Sequence, residues 1–183
     1  MKKDLSPEYK LNIPMVDSIW ETCKKCTNAY VEGHNKTFEY RMDLHLPEDM
    51  PMKTISTFTQ RYAEKERNAG YDLEYIAARE LSRDGRVHYH MAFFVDGNKT
   101  EKTYKHFQTA EIVLQKILGS EHDAKGLIDH CDRGHVNGIL IRRNDSNQKN
   151  LQDVYRQISY LAKEAQKENV KGKRVFTSRF KKK

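Results

Sequence analysis

Between Leu73 and Gly97, two runs rich in Tyr, Ile, Val and Phe (residues 74–82 and 87–95) flank the polar stretch Arg83-Asp84-Gly85-Arg86. That pattern specifies a β-hairpin. Successive side chains of a strand point to opposite faces, so His88 and His90 share one face while Val87, Tyr89, Met91, Phe93 and Val95 share the other. Loop length decides what joins the two imidazoles. A two-residue Asp84-Gly85 turn sets Glu80 opposite Tyr89, away from the histidines. A three-residue Arg83-Asp84-Gly85 loop, with Gly85 left-handed in a bulge, sets Glu80 opposite His88. We take the second register as the expectation. Two imidazoles and a carboxylate converging on one point suit a divalent cation with positions left open for substrate. Taken alone, His-x-His on a strand is equally an ordinary polar face.

The rest of the chain supplies elements for this hairpin to pack against. After a weakly patterned arm (residues 1–13), Pro14 opens a helix to about Tyr30, with Val16, Ile19, Trp20, Cys23, Thr27 and Tyr30 at helical spacing. Cys23 and Cys26 form a CxxC inside that helix, with no second pair to complete a zinc ribbon. From Thr37 to Leu46, Phe38, Tyr40, Met42, Leu44 and Leu46 alternate with Glu39, Arg41, Asp43 and His45, a half-buried strand. Its polar face could border a site, or simply hold an Arg41–Asp43 ion pair. Helices follow over about Thr54–Asn68 and Lys102–Leu118. Short strands follow over Gly126–Cys131 and Gly138–Arg142, joined across Asp132-Arg133-Gly134, and a last helix runs from about Leu151 to Lys167. Asp129, His130, Cys131 and His135 fit no zinc spacing and read as loop polarity.

The order βαββαββα predicts one α+β domain on a central, mostly antiparallel sheet with flanking helices. We expect helices on one face and the histidines on the other, within reach of the last helix. An odd cysteine count, no apolar run near 18 residues and no signal-peptide core point to a soluble protein of a reducing cytoplasm.

The chain carries a formal net charge of +7, with basic residues concentrated in a tail of Lys171, Lys173, Arg174, Arg179 and Lys181 to Lys183. Nucleic acid is the polyanion such a tail suits best, and no lipidation motif or basic amphipathic helix favours a membrane. Residues 175–180, VFTSRF, alternate like a short strand. In the last helix, Leu151, Val154, Ile158, Leu161, Ala162 and Ala165 form one apolar stripe. Tyr160 lies about 160° from its centre, among Arg156, Lys163 and Lys167, whereas Tyr155 borders the stripe. That arrangement puts Tyr160 in a strongly positive field.

Together these features resemble the HUH endonucleases, which initiate rolling-circle DNA replication or transfer. His88-Tyr89-His90 matches histidine-hydrophobe-histidine, and Tyr160-Leu161-Ala162-Lys163 matches YxxK. Within that superfamily the likeness is closest to the inovirus Gp2-type replication proteins and the YagK/YfjJ domains. It rests on RMDLHLP (41–47), ARE before HYH, SYLAK and KRVFTSRF, and covers about residues 36–180. The histidines precede the tyrosine, unlike the usual relaxase order, and one YxxK tyrosine is evident rather than two.

The resemblance implies an arm and helix (1–35), an HUH endonuclease core with a ferredoxin-like or RRM-like sheet (36–170) and a basic tail (171–183). It also implies Mg²⁺ or Mn²⁺ on Glu80, His88 and His90, with Tyr160 as nucleophile assisted by Lys163. Arg156, Lys167, Lys171, Lys173, Arg174 and Arg179 would contact DNA. The implied partner is single-stranded DNA or origin hairpin DNA in a bacterial cytoplasm, with host replication proteins beside it. Two alternatives stand next to this reading: a non-catalytic nucleic-acid-binding module, and an iron enzyme using two histidines and a carboxylate.

Overall fold

The alternating stretch becomes β1 (Lys36–His45) and the central hairpin becomes β2 (Glu74–Leu81) and β3 (Val87–Asp96). The computed structural model describes residues 14–82, 85–132, 137–145, 148–163, 175–178 and 180. Around the three strands stand α1 (Asp17–Gly33), α2 (Lys53–Asn68), α3 (Tyr104–Leu118), β4 (Ile128–Asp129), β5 (Ile139–Arg142), α4 (Lys149–Ala162) and β6 (Val175–Thr177). The sheet runs β4-β1-β3-β2-β6, with β5 also on β1, and every pairing is antiparallel. From β1 to β4 the chain is a βαββαβ unit of strand order 4-1-3-2, the ferredoxin-like arrangement. The strand expected in VFTSRF is β6, which closes the free edge of β2 opposite Ile76, Ala77 and Ala78.

The hairpin adopts the three-residue loop register. Leu81 faces Val87 and Glu80 faces His88, and the Ser82 N–H donates to the Arg86 carbonyl at 2.9 Å. Gly85 has φ +85°, the left-handed conformation that the bulge requires and that glycine adopts without strain.

Helices cover both faces, not one as the sequence suggested. Phe38, Tyr40, Met42 and Leu44 join Tyr89, Met91, Phe93 and Val95 in a core with Ile55, Phe58 and Tyr62 of α2 and Phe107, Ala110 and Leu114 of α3. On the other face, Ile76, Ala78, Ala92 and Phe94 pack against Ile19, Cys23 and Tyr30 of α1 and Val154, Tyr155, Ile158 and Leu161 of α4. The reason lies along β3. Its histidine face is polar at His88 and His90 but apolar at Ala92 and Phe94, and that apolar end must be buried. α1 and α4 cover it and leave the polar end accessible. Cys23 and Cys26 belong to this second core, and burial pushes the Cys26 thiol up to about 11.

The two short strands are shorter than expected and do not pair with each other. Both lie along the same edge of β1, β4 opposite Asp43 and Leu44, β5 opposite Lys36 to Glu39. Between them Asn137 replaces a rung of the ladder. Its Oδ1 accepts the Arg41 N–H at 3.0 Å and its Nδ2 donates to the Arg41 carbonyl at 2.7 Å and to the His130 carbonyl.

α4 ends at Ala162, several residues before the expected Lys167. Lys163 turns to φ −53°, ψ 128° and bridges Met15, while the Val16 N–H donates to the Ala162 carbonyl at 2.8 Å. Tertiary pairing with the segment before α1 thus stops a helix whose apolar stripe continues in sequence. Among the described residues no helix is long and apolar enough to cross a membrane.

Candidate metal centre

Alternation and register bring the candidate ligands together. His88 and His90 leave β3 on one face, and Glu80 opposes His88 from β2. The His90 Nε2 lies 2.9 Å from Glu80 Oε2 and 3.0 Å from His88 Nε2, and His88 Nε2 lies 3.5 Å from the same carboxylate oxygen. Among the described residues these form a group of three metal-ligating side chains with donor atoms all within 4.8 Å of one another. Ligands sharing one cation at bond lengths of about 2.0–2.2 Å must sit about 3 Å apart, so the spacing fits a single small divalent ion. Two imidazoles and one carboxylate leave coordination positions free for substrate oxygens or water.

Support for the cluster comes from β1. Asp43 pairs with His90 across the β1–β3 ladder, and its Oδ2 is 2.6 Å from His90 Nδ1. A carboxylate on the far nitrogen of an imidazole fixes the ring's orientation and turns the other nitrogen towards a metal. Burial pushes the Asp43 carboxyl up, but the His90 hydrogen bond and the Arg41 guanidinium outweigh it and bring it down to about 2. Burial likewise opposes a proton on His90, yet the hydrogen bonds to Asp43 and Glu80 prevail and raise its proton affinity. His45 stands opposite His88 on β1, ring centroids 5.3 Å apart; its burial, then the charge of His88, lower its proton affinity.

The cluster opens into a cleft of about 1070 Å³ that is also lined by Arg41, Asp43, His45, Asp129, Cys131, Ile139, Asp153, Arg156, Gln157, Tyr160 and Lys163. The two tyrosines of α4 separate as their helix faces require. Tyr160 is 52% exposed on the cleft wall. Tyr155 is fully buried, edge-on to Trp20, with its hydroxyl donating to Asn28 Oδ1.

Arg156 and Lys163 reach the same cleft, but Lys163 does so from beyond the end of α4 rather than from the next helical turn. The strongly positive field expected around Tyr160 is also corrected. Arg41, Arg156 and Lys163 share the cleft with Asp43, Glu80, Asp129 and Asp153, and Asp153 lies 3.6 Å from Arg156. Lys167, Lys171, Lys173, Arg174 and Arg179 lie outside the described residues, as does His135.

Sequence reasoning left out part of this wall. Asp129 and Cys131, read as loop polarity, line the cleft because β4 pairs with β1 beside Asp43. Burial, and then Asp43, push the Cys131 thiol up to about 12. His130, between them, instead stacks on Phe107 at 3.9 Å. Asp43 and His45 were legible as members of a polar face; their meeting with the histidines needed the β1–β3 register.

The sheet, the three-ligand cluster and the neighbouring tyrosine define a DNA-replication type of protein. The chain belongs to the family of replication-associated proteins of the ORF2 and gene 2 protein type, whose model matches residues 34–169. No curated protein and no solved structure gives a significant match.

Proposed function

We propose that the protein is an HUH-type endonuclease and strand transferase that starts rolling-circle replication by nicking single-stranded DNA at a specific site. One observation carries this reading: Glu80, His88 and His90 converge within 4.8 Å in the same cleft that exposes Tyr160. The three ligands would hold Mg²⁺ or Mn²⁺, which when bound supplies Lewis-acid polarisation of a phosphate oxygen.

The chain's own residues do the rest. The Tyr160 hydroxyl attacks the scissile phosphorus, forming a phenolic oxygen–phosphorus bond as the bond to the 3′-oxygen breaks. The phenolic proton is lost to solvent, and the leaving 3′-oxygen takes one up. The product is a 5′-phosphotyrosine and a free 3′-hydroxyl. Because the phosphodiester bond is exchanged rather than hydrolysed, a later 3′-hydroxyl attacks the phosphotyrosine, rejoins the strand and restores Tyr160 without a nucleoside triphosphate. Lys163 and Arg156 face the same cleft and offer positive charge to the flanking phosphates. Lys167 and the tail residues Lys171, Lys173, Arg174 and Arg179 extend that contact along the strand.

Charge gives the reading further support. Four carboxylates and three cationic side chains line the cleft, so by itself it does not attract phosphate. A divalent cation on the cluster reverses that balance, which couples productive DNA binding to metal binding. The test is incubation with labelled single-stranded oligonucleotides in Mn²⁺, followed by denaturing electrophoresis and peptide mapping. The expected result is an SDS-resistant adduct on Tyr160 that EDTA abolishes. DNA binding that is indifferent to EDTA and leaves no adduct would assign the protein to the non-catalytic DNA-binding class.

A further inference from the structure

Arg41 is 8% exposed, yet its side-chain nitrogens reach three different places. Nε donates to the Met91 carbonyl on β3 at 3.1 Å, Nη1 to the Gln157 carbonyl on α4 at 2.9 Å, and Nη2 to Asp43 Oδ1 at 3.0 Å. Asp43 then meets His90 through its other oxygen at 2.6 Å. The Arg41 backbone is held as well, on both its N–H and its carbonyl, by Asn137. Gln157 stands on α4 three residues before Tyr160, a little less than one helical turn.

The apolar stripe of α4 fixes which face the helix buries, but apolar contact is not directional and does not by itself set where the helix stops along the sheet. A hydrogen bond from a planar, rigid guanidinium to a helix carbonyl does. We infer that Arg41 is a positioning residue, joining the helix that presents Tyr160 to the metal-binding cluster through Asp43 and His90, so that one fork sets the spacing between nucleophile and cluster. The inference rests on the nuclease reading of the cleft. Lysine cannot replace the fork, because a single ammonium at the end of a flexible stem does not span acceptors on β1, β3 and α4 together.

Two variants test it, Arg41→Lys and Asp43→Asn, each checked for wild-type circular dichroism. The first readout is Mn²⁺ affinity by electron paramagnetic resonance titration. The second is Mn²⁺-induced relaxation of the Tyr160 amide resonance at saturating Mn²⁺, which falls steeply with distance. The third is the rate of adduct formation on whichever oligonucleotide the wild type cleaves.

Asp43→Asn is expected to weaken Mn²⁺ binding by roughly tenfold or more, since it loosens only His90. Arg41→Lys is expected to weaken it too, to alter the Tyr160 relaxation at saturation, and to slow adduct formation by roughly 100-fold with unchanged DNA affinity, as a misplaced nucleophile does. Wild-type Mn²⁺ affinity together with wild-type Tyr160 relaxation in Arg41→Lys overturns the inference. If Arg41→Lys does not fold, wild-type Mn²⁺ affinity in Asp43→Asn overturns it instead. Failure of the wild type to form any adduct counts against the nuclease reading, and the two Mn²⁺ readouts still judge Arg41.

Discussion

Replacing Glu39 by glutamine should make folding stability less dependent on pH, in a way that can be worked out in advance. Glu39 sits on β1 two residues before Arg41, is 0% exposed, and neither carboxylate oxygen has a hydrogen-bond partner among the described residues. Burial pushes its carboxyl from 4.5 up to about 8, with Arg41 pulling weakly the other way. The folded chain therefore keeps a proton that the unfolded chain releases above pH 4.5. Below that value both states are protonated and nothing is lost; between 4.5 and about 8 folding becomes less favourable by about 1.4 kcal/mol per pH unit. By pH 7 the accumulated loss is about 3 kcal/mol, a large share of a typical domain's stability. The Glu39→Gln variant lacks this dependence. A buried carboxamide has hydrogen-bonding demands of its own, but those shift its whole curve without tilting it. The assay is urea unfolding of both proteins at pH 5, 6 and 7. The variant should gain on the wild type at each step, by about 3 kcal/mol in total. Parallel curves would refute the claim that Glu39 is carried into the fold as a neutral acid.

Other expectations follow from the same geometry. Tyr160→Phe should keep fold and metal binding but form no covalent DNA adduct, while Tyr155→Ala should lose about 3–5 kcal/mol of stability by denaturant titration because its ring is fully buried. Apparent Mn²⁺ affinity should rise with pH across neutrality, by up to about tenfold per unit, because the raised proton affinity of His90 makes cation and proton compete for Nε2; a flat profile from pH 6 to 8 in calorimetric titration would count against that competition. Asn137→Ala should cost about 2 kcal/mol or more in thermal or urea unfolding, since it strips partners from both backbone groups of Arg41.

What could be read without coordinates was whatever a single local rule controls. Gly85 and the alternation around it gave the hairpin register, and with it the meeting of Glu80 with His88. The helical angle between Tyr155 and Tyr160 gave one buried ring and one exposed one. The failures share a different cause. Glu39, Arg41 and Asp43 made one face of β1 look open, but α1 and α4 bury Glu39 and Arg41 because Ala92 and Phe94 on the neighbouring strand need cover. No propensity marks Asn137 as a substitute for a strand residue, or Lys163 as the point where Met15 halts a helix. Asp129 and Cys131 joined the cleft through pairing with a strand more than 80 residues earlier, a distance no local pattern crosses.

The carboxamide rung at Asn137 also separates two jobs that an uninterrupted strand would have to do together. β4 anchors the chain beside Asp43, Asn137 anchors it again at Arg41, and the connecting segment begins at Cys131 on the cleft wall. Both ends of that segment are therefore fixed by groups that do not belong to it. Lengthening a loop between fixed ends costs only about 0.6 kcal/mol per doubling. New sequence placed between Cys131 and Asn137 can thus meet an approaching strand differently while Asp43 and His90 stay where they are. The edge of the sheet offers a grafting position, where specificity can be rewritten by insertion without retuning the chemistry.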